Sequence, residues 1–345
     1  MRFGHFALTT YYPDVYGSVG NHMRRVVDFF AASEELGFDA VWVNEHHFHH
    51  YGGHLPSPPV FLAAIAQRTN RVRLGTSVVV LALHNPIEIA EQLAMVDLMS
   101  NGRVELGVGR GNTPIDHEVF GIAPEEAQSR TIEGLEVIRK AWGGGHFSFH
   151  GQHFQYDDLE VWPKPQQEPH PPLWLACSNN PDSFAYAGKH GYQLLTVAQH
   201  RPLPELSERV QIYLQAWKNN GHDPSAAQVC THYQVVVDDN GAVARERCRN
   251  ARERYDASGG AARRAMPQTA HLSQEELVEQ GRLIVGTPDE CVSQLQYARD
   301  TLGLTAVDCN FLFGGITYEE AERSIGLFAR EVMPKLRNYY ATEAP

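Results

Sequence analysis

Four histidines follow a short apolar run near the start of the chain. Residues 40–43 read AVWV, and residues 44–50 read NEHHFHH. The apolar run predicts a strand buried on both faces, and an imidazole at its tip titrates near neutral pH. In an α/β barrel the active site lies at the carboxyl ends of the strands. The spacing therefore predicts that His46 and His47 face a cleft where acid/base chemistry takes place.

Two other interpretations of this stretch are a solvated His-rich loop and, if His54 is added, a metal-binding tract. Adjacent side chains on an extended backbone point to opposite sides, so His46 and His47 are poorly placed to share one ion. The chain has no HExxH or CxxC motif to supply further ligands. We therefore predict a protein without a metal, whose histidines serve another cofactor.

A second candidate site begins where residues 104–109, VELGVG, run into Arg110 and Gly111. Glycines let backbone N–H groups approach an anion, and a guanidinium offers two parallel donors to phosphate oxygens. A surface ion pair of Arg110 is the alternative. The dinucleotide fingerprint GxGxxG is absent here, because Asn112 stands at its third glycine position.

A third candidate site follows the apolar run at residues 172–178. Cys177, Ser178 and Asn179 stand at the end of this predicted strand, and Asn180 and Pro181 are typical of a helix start. The amino end of a helix binds anions, so this tip is a candidate phosphate site. Ordinary helix capping explains the same residues.

These sites require strands that end at one common edge. Apolar runs predict eight strands, each followed by a helical pattern, at residues 3–8, 40–44, 72–81, 104–109, 172–178, 192–197, 229–238 and 306–313. This alternation in one chain predicts an α/β fold, a (β/α)8 barrel, with a single domain over residues 1–345. Residues 143–172 are predicted to form an excursion outside the barrel, and residues 258–280 a mobile lid.

Composition excludes several classes of protein. The formal net charge of the 345 residues is -12, which disfavours nucleic acids and anionic membranes as partners. The five cysteines are odd in number and widely spaced, which indicates reduced thiols rather than disulfides. Without a signal segment or a membrane-spanning apolar run, we expect a cytoplasmic protein.

Several short motifs, in order along nearly the whole chain, carry a family resemblance. They are FG at 3–4, GFDAVW at 37–42, EHHF at 45–48, LGT at 74–76, MSNGR at 99–103, GVGRG at 107–111, VGTP at 285–288 and VMP at 332–334. Together they resemble the bacterial luciferase-like flavin monooxygenases. EHHF in this context is most similar to the alkanal monooxygenase branch, which oxidises aldehydes.

The resemblance implies roles for individual residues. His46 matches the catalytic imidazole beside the reactive edge of the flavin, and His47 matches its companion. Arg110 and Ser178 match residues that hold the FMN phosphate. Asp116 matches an acidic position near the flavin.

The resemblance also implies a feature of the backbone and reveals two departures from the family. The bond between Ser77 and Val78 matches a non-proline cis peptide. Gly109 stands where catalytic chains of luciferases have a cysteine, and Cys177 stands where they have a glutamate. Light emission is therefore not implied.

As a function, the resemblance implies that reduced FMN reacts with dioxygen at flavin carbon 4a, and that the peroxide oxygenates an aldehyde, a ketone or a heteroatom. It further implies a separate NAD(P)H:flavin reductase and a homodimer formed through barrel helices. The lack of any GxGxxG or P-loop agrees with flavin reduced elsewhere. The alternatives are a deazaflavin-dependent hydride-transfer enzyme and a non-catalytic flavin-binding protein; the presence of both His46 and His47 argues against the latter.

Overall fold

A computed structural model describes residues 1–48, 52–258 and 272–337 of the chain. Its strands are β1 (Arg2–Ala7), β2 (Ala40–Val43), β3 (Arg73–Thr76), β4 (Val79–Val80), β5 (Val104–Gly109), β6 (Phe147–His150), β7 (Gln155–Leu159), β8 (Leu173–Ala176), β9 (Gln193–Val197), β10 (Val229–Val237), β11 (Ile284–Gly286) and β12 (Ala306–Asn310). Parallel pairing runs through β1, β2, β3, β5, β8, β9, β10 and β12, and β12 returns to β1. The predicted (β/α)8 barrel is confirmed.

Helices surround this barrel. They are α1 (Pro13–Tyr16), α2 (Val19–Ala31), α3 (Pro58–Ala66), α4 (Pro86–Met99), α5 (Pro114–Phe120), α6 (Ala127–Trp142), α7 (Pro181–Lys189), α8 (Leu203–Asn219), α9 (Gly241–Ser258), α10 (Gln274–Glu279), α11 (Pro288–Leu302), α12 (Tyr318–Leu327) and α13 (Met333–Arg337). Several begin with proline after a capping side chain, as in α4, where Asn85 Oδ1 accepts a hydrogen bond from the Ile87 N–H at 2.9 Å. Of the described helices, none has the length and apolar character to cross a membrane.

The predicted third strand, residues 72–81, is wrong in one respect. It is split into β3 and β4 by a cis peptide between Ser77 and Val78, and a 3-10 turn, Leu81–Leu83, follows. The apolar, β-branched residues of this stretch favour a strand, but residue type does not encode a cis bond outside proline. The resemblance did imply this cis peptide, and the structure has it.

The excursion at residues 143–172 is confirmed as a separate unit outside the barrel sheet. It contains the antiparallel hairpin of β6 and β7. The predicted lid falls mainly on residues 259–271, outside the described part of the chain, while residues 274–279 form α10. Strand β11, which pairs with β10, was missed because it is only three residues long.

The amino ends of the strands are closed by a buried ion network. Glu105 of β5, 1% exposed, accepts hydrogen bonds from Arg2 Nη2 at 2.7 Å, from Trp174 Nε1 at 2.8 Å and from Arg73 Nε. Above it, the rings of Trp42 and Trp174 meet edge to face with centroids 5.4 Å apart. Packed layers of this kind fill an α/β barrel, so binding chemistry is left to the opposite, carboxyl end.

Candidate active site at the carboxyl ends of the barrel strands

The residues predicted to do chemistry follow neighbouring strands. β2 pairs with β3, β3 with β5, and β5 with β8. In parallel strands the carboxyl ends share one edge, so the barrel places His46, Ser77, Arg110 and Ser178 on the same face. This shared edge is the candidate site.

His46 is half-buried and lies against the backbone of the following loop. A Cβ atom added to Gly52 would come within 2.7 Å of His46 Cδ2 and 3.1 Å of Asn44 Nδ2. Gly52 also has a φ of 71°, which side chains rarely adopt. The loop therefore needs glycine here, and its close approach places His46 and Asn44 beside each other.

His47 belongs to a different, buried group. Its Nε2 lies 2.8 Å from Glu45 Oε1, and Nε2 of His84 lies 2.7 Å from the same oxygen. The other oxygen, Oε2, accepts the Val80 N–H at 3.0 Å. Glu45, only 2% exposed, thus links the end of β2 to the segment that follows the cis peptide.

The charge of Glu45 decides that Nε2 is the donating nitrogen in both rings. Burial alone would raise the pKa of Glu45, but the hydrogen bonds from His47, His84 and the Val80 N–H together hold that pKa below its ordinary value. An ionised carboxylate only accepts hydrogen bonds, so both imidazoles must donate through Nε2.

Glu45, His47 and His84 also have the composition of a metal site. Their ligand atoms all lie within 4.8 Å of one another. The hydrogen bonds of 2.7–2.8 Å already account for this arrangement without an ion. Independence of metal stays a prediction, and metal analysis of protein purified without a histidine tag would contradict it by finding stoichiometric zinc that is lost together with activity on chelation.

Asp116 lies in the first turn of α5 and is 4% exposed. Burial raises the pKa of Asp116 to about 6; the charge of His47 opposes this rise and that of Glu45 adds to it. The ring of His47 also meets Phe120 edge to face, with centroids 5.0 Å apart. Asp116 and His47 are therefore close enough to interact electrostatically, and the ring of Phe120 packs against His47.

Arg110 is exposed directly after β5. Its guanidinium has no ion pair or hydrogen bond within the described ranges, so the alternative of a surface ion pair is not seen there. Gly111 has a φ of 75°, and a Cβ atom on it would come within 2.6 Å of Val80 Cγ1. The backbone turn that presents Arg110 thus depends on glycine.

Residues at the end of β8 divide between the two faces of the barrel wall. Ser178 is half-buried and Asn179 exposed at the edge. Cys177 is 2% exposed and lies beside Tyr213 of α8, and its N–H donates to Leu195 O at 2.9 Å. Burial raises the pKa of the Cys177 thiol well above its ordinary range. The geometry therefore argues against the predicted cofactor contact of Cys177, since its thiol packs behind the strand.

Several side chains at this edge were given no role by the sequence. In the sequence, Glu45 is only part of the EHHF motif and His84 only precedes the predicted helix at Pro86. No sequence motif marks Arg201. The Arg201 guanidinium donates to Asn179 Oδ1 at the end of β8, although it comes from the turn after β9. Such contacts depend on which strands are neighbours, which single-sequence patterns do not state.

Known proteins of similar sequence include two oxidoreductases. The alkanal monooxygenase alpha chain of Photorhabdus luminescens is 27% identical over 98% of this chain and 97% of its own. The F420-dependent glucose-6-phosphate dehydrogenase of Amycolatopsis mediterranei is 28% identical over 91% of this chain and 95% of its own. Both alignments run through the barrel.

Solved structures with the same fold include monooxygenases. Monooxygenase RslO1 from Streptomyces bottropensis superposes with a TM-score of 0.88 at 29% identity, covering 97% of this chain and 100% of that one. The oxygenating constituent of 3,6-diketocamphane monooxygenase from Pseudomonas putida, in complex with FMN, has the same fold, with a TM-score of 0.79 at 18% identity over 97% and 98% of the two chains. The family model of the luciferase-like monooxygenases matches residues 1–305. The chain belongs to the luciferase-like monooxygenase family.

Proposed function

We propose that this protein is an FMN-dependent monooxygenase that takes reduced FMN and dioxygen from solution and oxygenates a small aldehyde, ketone or heteroatom compound. One observation carries the proposal. A cationic edge formed by the ends of β5 and β8 lies on the same face of the barrel as the half-buried imidazole of His46. This arrangement suits a ligand with an anionic tail and a reactive ring.

The anionic tail would lie between the ends of β5 and β8. Arg110 offers an exposed guanidinium, and Ser178 a half-buried hydroxyl. Arg201 adds a second positive charge beside Asn179. The amino end of α7, nine residues long and capped by Asn180, follows directly and favours an anion through its free N–H groups. Together these groups fit a phosphate.

The ring of the cofactor would lie over the barrel mouth, where buried polar atoms lack partners within the described ranges. They include Nδ1 of His232 and Nδ2 of Asn310. Unpaired buried polar atoms are unfavourable unless a ligand pairs them, and the pyrimidine part of a flavin carries both donors and acceptors. When bound, the flavin supplies the reducing equivalents and the activation of dioxygen.

The side chains of the chain itself would handle protons and orientation. His46 is placed to take or give a proton at neutral pH. Asp116, with a pKa of about 6, can change its charge in the same range. Glu45 holds the His47 ring by a hydrogen bond, so that His47 stays oriented beside Asp116. We assign the acid/base role to His46. Asp116, Glu45 and His47 would support it by setting the charge and the side-chain orientation around it.

A deazaflavin is the second candidate cofactor, and one observation favours it. The dehydrogenase of Amycolatopsis mediterranei, named as F420-dependent, aligns with 91% of this chain. In such an enzyme the same cationic edge would hold the phosphate of F420, and hydride transfer would need no dioxygen. Titration of the protein with reduced FMN and with reduced F420 separates the two, since we expect the tighter binding for FMN.

Electron supply provides the functional test. With FMN, dioxygen and NADH alone, the purified protein should oxidise negligible NADH, and an added unrelated flavin reductase should restore oxygenation of the substrate. Replacing His46 by alanine should then slow oxygenation by about 10²–10⁴-fold with FMN affinity nearly unchanged. Rapid NADH oxidation by the protein alone would refute the two-component proposal, and an unimpaired His46→Ala variant would refute the role of His46.

We further propose that the protein is a homodimer in which α2 and α3 form the contact. A groove of about 490 Å³ lies between these helices, lined by apolar side chains that include Met23 and Phe61. Val60 on its rim is 71% exposed. Sedimentation should give a dimer for the natural chain and a monomer for Val60→Asp; a natural chain that sediments as a monomer contradicts this proposal.

A further inference from the structure

Asn44 is a buried amide whose hydrogen bonds are not made. Its side chain lies directly after β2, with the residue 4% exposed. Neither Nδ2 nor Oδ1 has a hydrogen-bond partner in the part of the chain that the structure describes. Folding rarely leaves both ends of a buried amide unpaired, and such a group calls for a partner that the protein does not itself supply.

The Asn44 amide faces the barrel mouth. Trp42, two residues earlier, points into the barrel, where its ring would meet a Cβ atom on Gly4 or Gly75. Side chains two apart on an extended backbone share a face, so Asn44 points the same way, one layer closer to the carboxyl end. The amide is therefore aimed toward the space that an occupant of the mouth would fill.

Asn44 also lies next to His46. A Cβ atom added to Gly52 would lie 2.7 Å from the imidazole and 3.1 Å from the amide nitrogen. The two side chains therefore approach the same point of the loop. A hydrogen-bond donor thus stands beside a group that carries protons. That pairing suits addition to a carbonyl, in which the carbonyl oxygen gains negative charge while a proton moves nearby.

We propose that Asn44 is a substrate-binding residue whose Nδ2–H group donates to the carbonyl oxygen of an aldehyde or ketone. This inference rests on the proposed oxygenase function and narrows its substrate class. Oxygen transfer to a sulfide or an amine leaves no negative charge on a substrate oxygen, so such a reaction has no use for the donor. Asn44 therefore selects carbonyl compounds over heteroatom compounds.

The test compares Asn44→Leu, which is similar in size but has no donor, with the natural chain. Photochemically reduced FMN is supplied with an aliphatic aldehyde, a cyclic ketone or an aryl methyl sulfide as the probe. Removal of one donor to a developing oxyanion slows reactions by about 10²–10³-fold, so Asn44→Leu should lose this much on the preferred carbonyl probe. Any sulfide oxidation and the affinity for FMN should be unchanged.

Two further variants make the test specific. Asn44→Ser retains a hydroxyl donor and should recover part of the carbonyl activity, which also guards against a folding defect in Asn44→Leu. Asn70→Leu makes the same chemical change at an exposed position before β3, at the opposite end of the barrel, and should behave as the natural chain.

Four results would overturn the inference. Equal losses on carbonyl and sulfide probes, or weaker FMN binding in Asn44→Leu, would make Asn44 a general or flavin contact. Unchanged carbonyl turnover would remove its role. A natural chain that oxygenates only the sulfide would keep the proposed function and refute the carbonyl class, whereas a natural chain that oxygenates no probe would refute the proposed function itself.

Discussion

At the scale of single residues, Glu45 controls the electrostatics of the site. Burial raises the pKa of Asp116 to about 6, and the negative charge of Glu45 adds to that rise. Replacing Glu45 by glutamine removes that charge and nearly keeps the shape, so the pKa of Asp116 should fall below about 6. Carboxyl ¹³C NMR titration measures this midpoint, with Asp116→Asn identifying the resonance.

The control for this prediction is Glu133→Gln. Glu133 also accepts backbone hydrogen bonds, from Gln152 and His153 outside the barrel, and its replacement should leave the Asp116 midpoint unchanged. An Asp116 midpoint that stays the same or rises in Glu45→Gln would show that the two carboxylates are not coupled.

The sequence predicted the edge of the site better than its interior. That His46 and His47 point to different sides follows from an extended backbone, and the structure places His47 with Glu45 and His46 at Gly52. Cys177 could not be assigned in the same way, because the side that its thiol takes depends on where β8 ends. The partnership of Glu45 with His84 joins residues 39 apart and has no local signal.

At the scale of elements, the ends of β5 and β8 act together as a phosphate site. Arg110→Ala removes an exposed guanidinium and should weaken FMN binding by about 1.5–3 kcal/mol, the contribution of a hydrogen bond to a charged group. Riboflavin lacks the phosphate, so its binding should barely change. Fluorescence titration with both flavins measures the difference.

A matched control is Arg71→Ala. Arg71 is exposed before β3, at the opposite end of the barrel, where it pairs with Glu35. Its loss should affect neither flavin. If Arg110→Ala weakens FMN and riboflavin equally, the guanidinium does not bind the phosphate.

Element boundaries show what a sequence can and cannot predict. The (β/α)8 pattern follows from eight apolar runs alternating with amphipathic stretches, and seven of those runs match single strands within a few residues. The run at residues 72–81 reads as continuous, yet it turns at Ser77 into the edge of the site. Thr76 stabilises this break by donating to Gly107 O at 2.7 Å and accepting from Gly107 N at 2.9 Å, a contact between strands.

At the scale of the whole molecule, one buried acid makes barrel stability depend on pH. Asp308 of β12 is 1% exposed, and burial raises the pKa of Asp308 to about 7. Between the unfolded pKa of about 4 and this folded value, only the unfolded chain releases the proton. The free energy of unfolding should therefore fall as pH rises through this window.

Asp308→Asn removes that proton release. Relative to the natural chain, the variant should gain stability from about pH 5 to about pH 8, as urea unfolding at both values would show. Asp239→Asn, at an exposed position, should follow the natural chain. A stability difference between Asp308→Asn and the natural chain that does not grow with pH would mean that Asp308 is already ionised in the barrel.

The most direct test of the proposed function follows the oxygen atom. Reduced FMN, prepared without NADH or a reductase, is mixed with the protein, ¹⁸O₂ and a panel of aldehyde, ketone and sulfide probes, and the products are analysed by mass spectrometry. An oxygenase of the proposed kind places one ¹⁸O atom in the product and needs only the reduced flavin. Products that form equally well without dioxygen, carry no ¹⁸O and require reduced F420 would contradict it.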